Sequence, residues 1–143
     1  MNPVDHPPEA GPSRGEGAAV TSAATARDHV RVLLGGHGRT GGPSPDAVVD
    51  LLLVVSELVT NAIRHGGGLA GFDARLTDGG VWLAVRDNSD VVPEQAHGTG
   101  EIPRTHRTTG GYGWPLIIRL STAVTFEPCR EGGKTIHVFV PLA

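Results

Sequence analysis

The sequence predicts an α/β fold of two layers, a mixed and mainly antiparallel sheet with helices on one face. Three observations predict it. Two segments carry apolar residues at helical spacing between helix-start and helix-stop residues. Two others read as hairpins, with apolar alternation around Asp78-Gly79-Gly80 and Glu131-Gly132-Gly133. The order along the chain is helix, helix, hairpin, long loop, helix, hairpin, which suits helices laid over one face of a sheet.

Residues 1–22 are rich in Pro, Gly, Ala and charge without periodicity, and are expected to form a mobile tail. The folded domain is expected over 23–143. Its first helix starts near Thr21 to Thr25, carries Val30, Leu33 and Leu34 as a stripe, and stops at Gly35-Gly36. The second helix has sharper limits. Ser44 suits the N-cap, Pro45 the first helical position and Asp46 the positive end of the dipole. The helix runs to about His65, where Gly66-Gly67-Gly68 stops it. A strand over Gly71 to Thr77 alternates Phe72, Ala74 and Leu76 with polar neighbours, and Val81 to Arg86 returns beside it.

From Asn88 to Thr109 no period survives, and a loop of that length inside a domain reads as a functional lid. Gly110-Gly111-Tyr112-Gly113 then opens a helix over Trp114 to Leu120. Strands over Thr122 to Glu127 and Thr135 to Val140 complete the pattern.

Composition narrows the function. A chain of 143 residues supports one core. The net charge of −3 argues against a general binder of nucleic acid or anionic membranes, since both need a basic excess. The basic residues are arginines except for Lys134. The single cysteine, Cys129, permits no disulfide within the chain and suits a reducing cytoplasm. The longest apolar run, Val48 to Val55, is broken by Asp50 and is too short to span a bilayer.

The second helix carries the chemistry. At about 100° per residue, Asp50, Glu57, Asn61 and Arg64 fall within an arc of roughly 60°. Leu51, Val55, Leu58, Val59 and Ala62 lie opposite. A solvated face gives the same periodicity. Against it, Asn is a weak helix former at an interior position, because its side chain competes for backbone hydrogen bonds. A carboxylate and an amide oxygen one turn apart also suit a hard cation such as Mg²⁺, or water in its shell.

The segment Ser56-Glu-Leu-Val-Thr-Asn-Ala-Ile-Arg-His-Gly66 resembles the N box of GHKL (histidine-kinase-like) ATPases. The resemblance implies a Bergerat-type ATP-binding fold. It implies Asn61 as ligand of the Mg²⁺ that bridges the ATP phosphates, Glu57 as general base, and Arg64 and His65 beside the nucleotide. Val85-Arg86-Asp87-Asn88-Ser89 is similar to the G1 box, whose Asp accepts from the adenine amino group; Asp87 matches it. An Asp that opens a turn after a strand reads the same way locally. Ser89 stands where the pattern has Gly, and its side chain narrows the approach to the base. Gly110, Gly111 and Gly113 resemble the G2 box, where free N–H groups and a helix N-terminus meet phosphate. Thr135 matches the family's adenine-holding Thr, or is simply a β-branched strand residue. In the lid Arg107, with Arg104 and His106, is placed to reach the β- or γ-phosphate.

Among GHKL proteins, stand-alone domains of this length resemble the anti-sigma factor serine/threonine-protein kinases. The resemblance implies a kinase that binds a sigma factor and phosphorylates an anti-anti-sigma partner of STAS type, with a homodimer as a further arrangement. The alternative is a nucleotide-sensing binding module without catalysis, which Ser89 favours. A purely structural α/β protein is the third reading, and titration with MgATP separates it from the other two.

Overall fold

The computed structural model describes residues 19–35, 43–92 and 113–142. Helix α1 spans Ala23–Gly35. It starts in a reciprocal cap: the Thr25 amide donates to Ser22 Oγ at 3.1 Å and the Ser22 amide to Thr25 Oγ1 at 3.0 Å. Ala26 and Val30 are the residues it buries. Helix α2 spans Pro45–His65. Ser44 Oγ accepts from the Ala47 amide at 3.1 Å, with Pro45 in the first turn as the sequence predicts. Leu51, Val54, Val55, Leu58, Val59 and Ala62 form its buried face. At its end the amides of Gly66 and Gly68 both donate to the Ala62 carbonyl.

Strands β1 (Leu69–Leu76) and β2 (Gly80–Asp87) form the first hairpin. Helix α3 covers Gly113–Leu120. Strands β3 (Ala123–Pro128) and β4 (Lys134–Pro141) follow. The sheet order is β1-β2-β4-β3, and all three pairings are antiparallel among the described residues. The element order matches the expected one. Two limits differ. β2 takes in Gly80, which pairs with Pro141, and Asp87, which pairs with Lys134. β4 opens one residue early, at Lys134.

Period-two alternation divides the sheet. Val81, Leu83 and Val85 of β2 lie opposite Val140, Val138 and Ile136 of β4. All six are buried, and with Trp114 and Ile117 of α3 and the buried faces of α1 and α2 they form one core. Trp114 stands tilted against Phe126 of β3, ring centroids 5.7 Å apart. The other face carries Trp82 against Phe139, together with Arg86, Thr135 and His137. Helix α2 contacts both α1 and α3, and Arg27 of α1 donates to Ser56 Oγ of α2 at 2.9 Å. Among the described residues no helix is long and apolar enough to cross a membrane.

Candidate functional site

The core face of the two inner strands ends in polar side chains. Asp87 closes β2 and Lys134 opens β4, directly opposite in register. Alternation puts both on the side of Val85 and Ile136, so both are drawn beneath the helices. Asp87 is 3% exposed and Lys134 4%. The Lys134 ammonium donates to Asp87 Oδ2 at 2.9 Å, to Asp87 Oδ1 at 3.0 Å and to the Ser89 carbonyl at 3.1 Å. Two buried charges are tolerated only when paired and hydrogen-bonded, and this pair is both.

The chain after β2 is tied back on all sides. The Ser89 amide donates to Asp87 Oδ1 at 3.0 Å. Asp90 Oδ1 accepts from the Gly133 amide at 2.7 Å, joining this turn to the β3–β4 hairpin. The Asn88 amide donates to the Gly66 carbonyl at 2.8 Å, which sets the end of α2 against the end of β2.

Two glycines allow this convergence. A Cβ on Gly66 would stand 2.5 Å from Asp87 Oδ2, so only a bare backbone lets the helix end approach the carboxylate. Gly133 has φ +84°, and a Cβ there would run into the Asp87 carbonyl oxygen. Gly133→Ala combines left-handed backbone strain with a clash against main chain. It is expected to destabilise the fold by about 3 kcal/mol or more, read by urea denaturation. A change within about 0.5 kcal/mol would mean that the hairpin does not approach β2 this closely.

The candidate side chains of α2 lie on the turns that lead to Gly66. Glu57 and Asn61 are half-buried one turn apart, and Arg64 and His65 are exposed. The Gly66 amide donates to the carbonyls of Asn61 and Ala62, at 3.0 and 3.1 Å. Asn61 Nδ2 is buried, with no hydrogen-bond partner among the described residues. An unmet buried donor in the last turn of a helix is a place for a ligand atom or an ordered water. Among the described residues no three His, Cys, Asp or Glu side chains gather as a metal site. The Asn61 amide oxygen would suit a Mg²⁺ ion whose other ligands were phosphate oxygens and water.

Asp87 and Asn88 thus meet the end of the helix that carries Glu57, Asn61, Arg64 and His65, and Ser89 follows them, held by Asp87 and Lys134. Gly113 is the first residue of α3. Gly110, Gly111, Arg107, Arg104 and His106 lie outside the described residues. Thr135 stands in β4 as a strand residue, the second of its two readings. It pairs with Arg86, on the face of the sheet away from Asp87, and its Oγ1 lies 3.5 Å from Cys129 Sγ. The reason is register: β4 opens at Lys134, and a shift of one residue exchanges the faces. Lys134 therefore takes the position beside Asp87. The sequence carried one signal for it, since Lys134 is the only lysine in an arginine-rich chain.

Comparison with known proteins gives the family of the fold. Residues 18–139 match the family described as Histidine kinase-like ATPase domain. The chain belongs to that family. It is also similar to the anti-sigma F factors of Bacillus licheniformis and Geobacillus stearothermophilus, each 29% identical over 103 residues that cover 67% of this chain and 70% of the relative. The anti-sigma F factor of Bacillus velezensis matches at the same identity and coverage. Within the family, the relatives it resembles are anti-sigma factors.

Proposed function

We propose that this chain binds MgATP where the end of α2 meets the ends of β2 and β4, and that it transfers the γ-phosphoryl group to a serine or threonine of a STAS-type anti-anti-sigma partner while also binding a sigma factor. One observation carries the reading. The buried Asp87 carboxylate abuts Gly66, the residue that ends the helix bearing Glu57 and Asn61. An acceptor for a purine amino group and an amide–carboxylate pair for a phosphate-bound cation thus sit at two ends of one short span of backbone.

The roles follow from chemistry. Asn61 offers its amide oxygen to Mg²⁺, and its unmet Nδ2 donor gains a partner once the site fills. A Mg²⁺ ion held by Asn61 would neutralise phosphate charge during transfer. Glu57, one turn earlier, accepts the proton of the partner hydroxyl directly or through one water. Arg64 and His65, exposed at the helix end, can meet phosphate oxygens. Gly110, Gly111 and Gly113 offer amides to the phosphates, and Arg107 a guanidinium. Phosphoryl transfer depends mostly on positioning and electrostatics, which such a set provides without a covalent intermediate.

Incubation with labelled ATP, Mg²⁺ and STAS-domain proteins tests the kinase. Glu57→Gln is expected to lower phosphate transfer by about 100-fold or more while MgATP affinity stays within about threefold. Equal transfer by variant and parent would remove Glu57 from the chemistry. A second reading, a nucleotide-sensing module without catalysis, draws on Ser89, whose side chain stands where the resemblance expects none. MgATP binding with no transfer to any STAS partner would select that module.

A further inference from the structure

Lys134 is the only lysine of the chain and is almost wholly buried at the end of the sheet. An ammonium has three donors. Here Asp87 Oδ1, Asp87 Oδ2 and the Ser89 carbonyl take them. Lys134 therefore has no donor left for a nucleotide, and whatever it does for a ligand it does through Asp87 and Ser89.

Its effect on Asp87 is directional. Each carboxylate oxygen has about two acceptor sites. Oδ1 receives Lys134 and the Ser89 amide, which fills it. Oδ2 receives Lys134 alone among the described residues, so one acceptor site remains there. Oδ2 is also the carboxylate oxygen packed closest to the backbone of Gly66. The Ser89 backbone is gripped at both ends, its carbonyl by Lys134 and its amide by Asp87. Two strand ends and the turn between them are fixed by one ammonium.

We infer that Lys134 is a specificity-determining positioning residue, which fixes Asp87 so that a single acceptor on Oδ2 is offered to a purine carrying a 6-amino group. The inference rests on the nucleotide reading above. A 6-amino purine brings an N–H to that acceptor. A 6-oxo purine brings a carbonyl oxygen against it, and unsubstituted purine brings nothing. A site built around a buried acceptor discriminates strongly against ligands that leave the acceptor unpaired.

Affinities of ATP and of purine riboside triphosphate, which lacks the 6-amino group, measure this contact. The parent chain is expected to prefer ATP by about tenfold or more, the worth of one hydrogen bond to a charged group. In Lys134→Met the preference should fall to about twofold or less, while affinity for purine riboside triphosphate stays within about threefold. A purely structural role would weaken both nucleotides alike and leave their ratio intact, and that result overturns the inference while leaving ATP binding standing. Failure of the parent to bind ATP at all would overturn the site reading and this inference together.

A second measurement needs no variant. Because Lys134 is the only lysine, ¹⁵N-lysine labelling of the parent gives one side-chain ammonium resonance. Saturation with MgATP should shift that resonance, and saturation with Mg²⁺-purine riboside triphosphate should shift it clearly less. Identical responses to both nucleotides would overturn the inference even if Lys134→Met failed to fold.

Discussion

Asp87→Ala is expected to destabilise the folded chain by about 3–5 kcal/mol in the absence of any nucleotide. The substitution removes a small side chain but leaves the Lys134 ammonium buried beneath the helices. Of its partners only the Ser89 carbonyl remains. The cost is that of an uncompensated buried charge, not of a lost contact. For a domain whose total stability is about 5–15 kcal/mol, this is a large share. The melting temperature should fall by roughly 6–20 °C. Urea denaturation of the parent, Asp87→Ala and the double variant Asp87→Leu/Lys134→Met would separate the terms. The apolar pair should recover most of the loss, since buried ion pairs are often replaceable by hydrophobic side chains of similar volume. It should not recover nucleotide binding. A single-variant loss below about 1 kcal/mol would mean that the pair is open to water in solution.

The second large effect falls on binding and has the opposite sign for stability. Asn61→Ala is expected to weaken MgATP by about 100-fold or more, because it removes the one amide oxygen that α2 offers to the cation. The same change should leave the apo fold as stable as the parent or more so by about 1 kcal/mol. Alanine exceeds asparagine as an interior helix residue by a few tenths of a kcal/mol or more. It also deletes Nδ2, a buried donor without a partner among the described residues. Thermal denaturation and isothermal titration on the same samples give both numbers. Loss of stability together with loss of binding would make Asn61 a structural residue instead. A residue that costs stability while empty and serves when occupied is a familiar signature of a functional position.

The legible parts of the fold were those with a local cause. Ser44, Pro45 and Gly66 bound α2 by capping chemistry that acts within one turn, and the structure places them at those positions. The hairpin around Asp78 and Gly79 was legible for the same reason. The first residue of β4 was not. Lys134 and Thr135 are both plausible strand openers, and alternation assigns them to opposite faces. Choosing between them requires knowing that β4 pairs with β2 across about fifty residues of sequence, with Asp87 opposite Lys134. A buried lysine is also a poor expectation from composition, because lysine is rarely interior without a partner. The partner was visible as Asp87, but for the purine it was expected to hold. Gly66 was legible as a helix stop; that its missing side chain also admits the Asp87 carboxylate was not, since this depends on how closely two elements approach.

β4 is made after the other three strands, yet it occupies an inner place between β2 and β3. Until residues 134–141 emerge from the ribosome, β2 presents an unpaired edge and β3 lacks the strand it pairs with. Open edges of this kind recruit strands from other chains. Synthesis therefore passes through an interval in which neighbouring copies compete with the chain's own β4, and the Asp87–Lys134 ion pair is assembled only when the native strand wins. Low temperature and low expression, which lengthen the time available to the cis strand relative to encounters between copies, should favour the folded product.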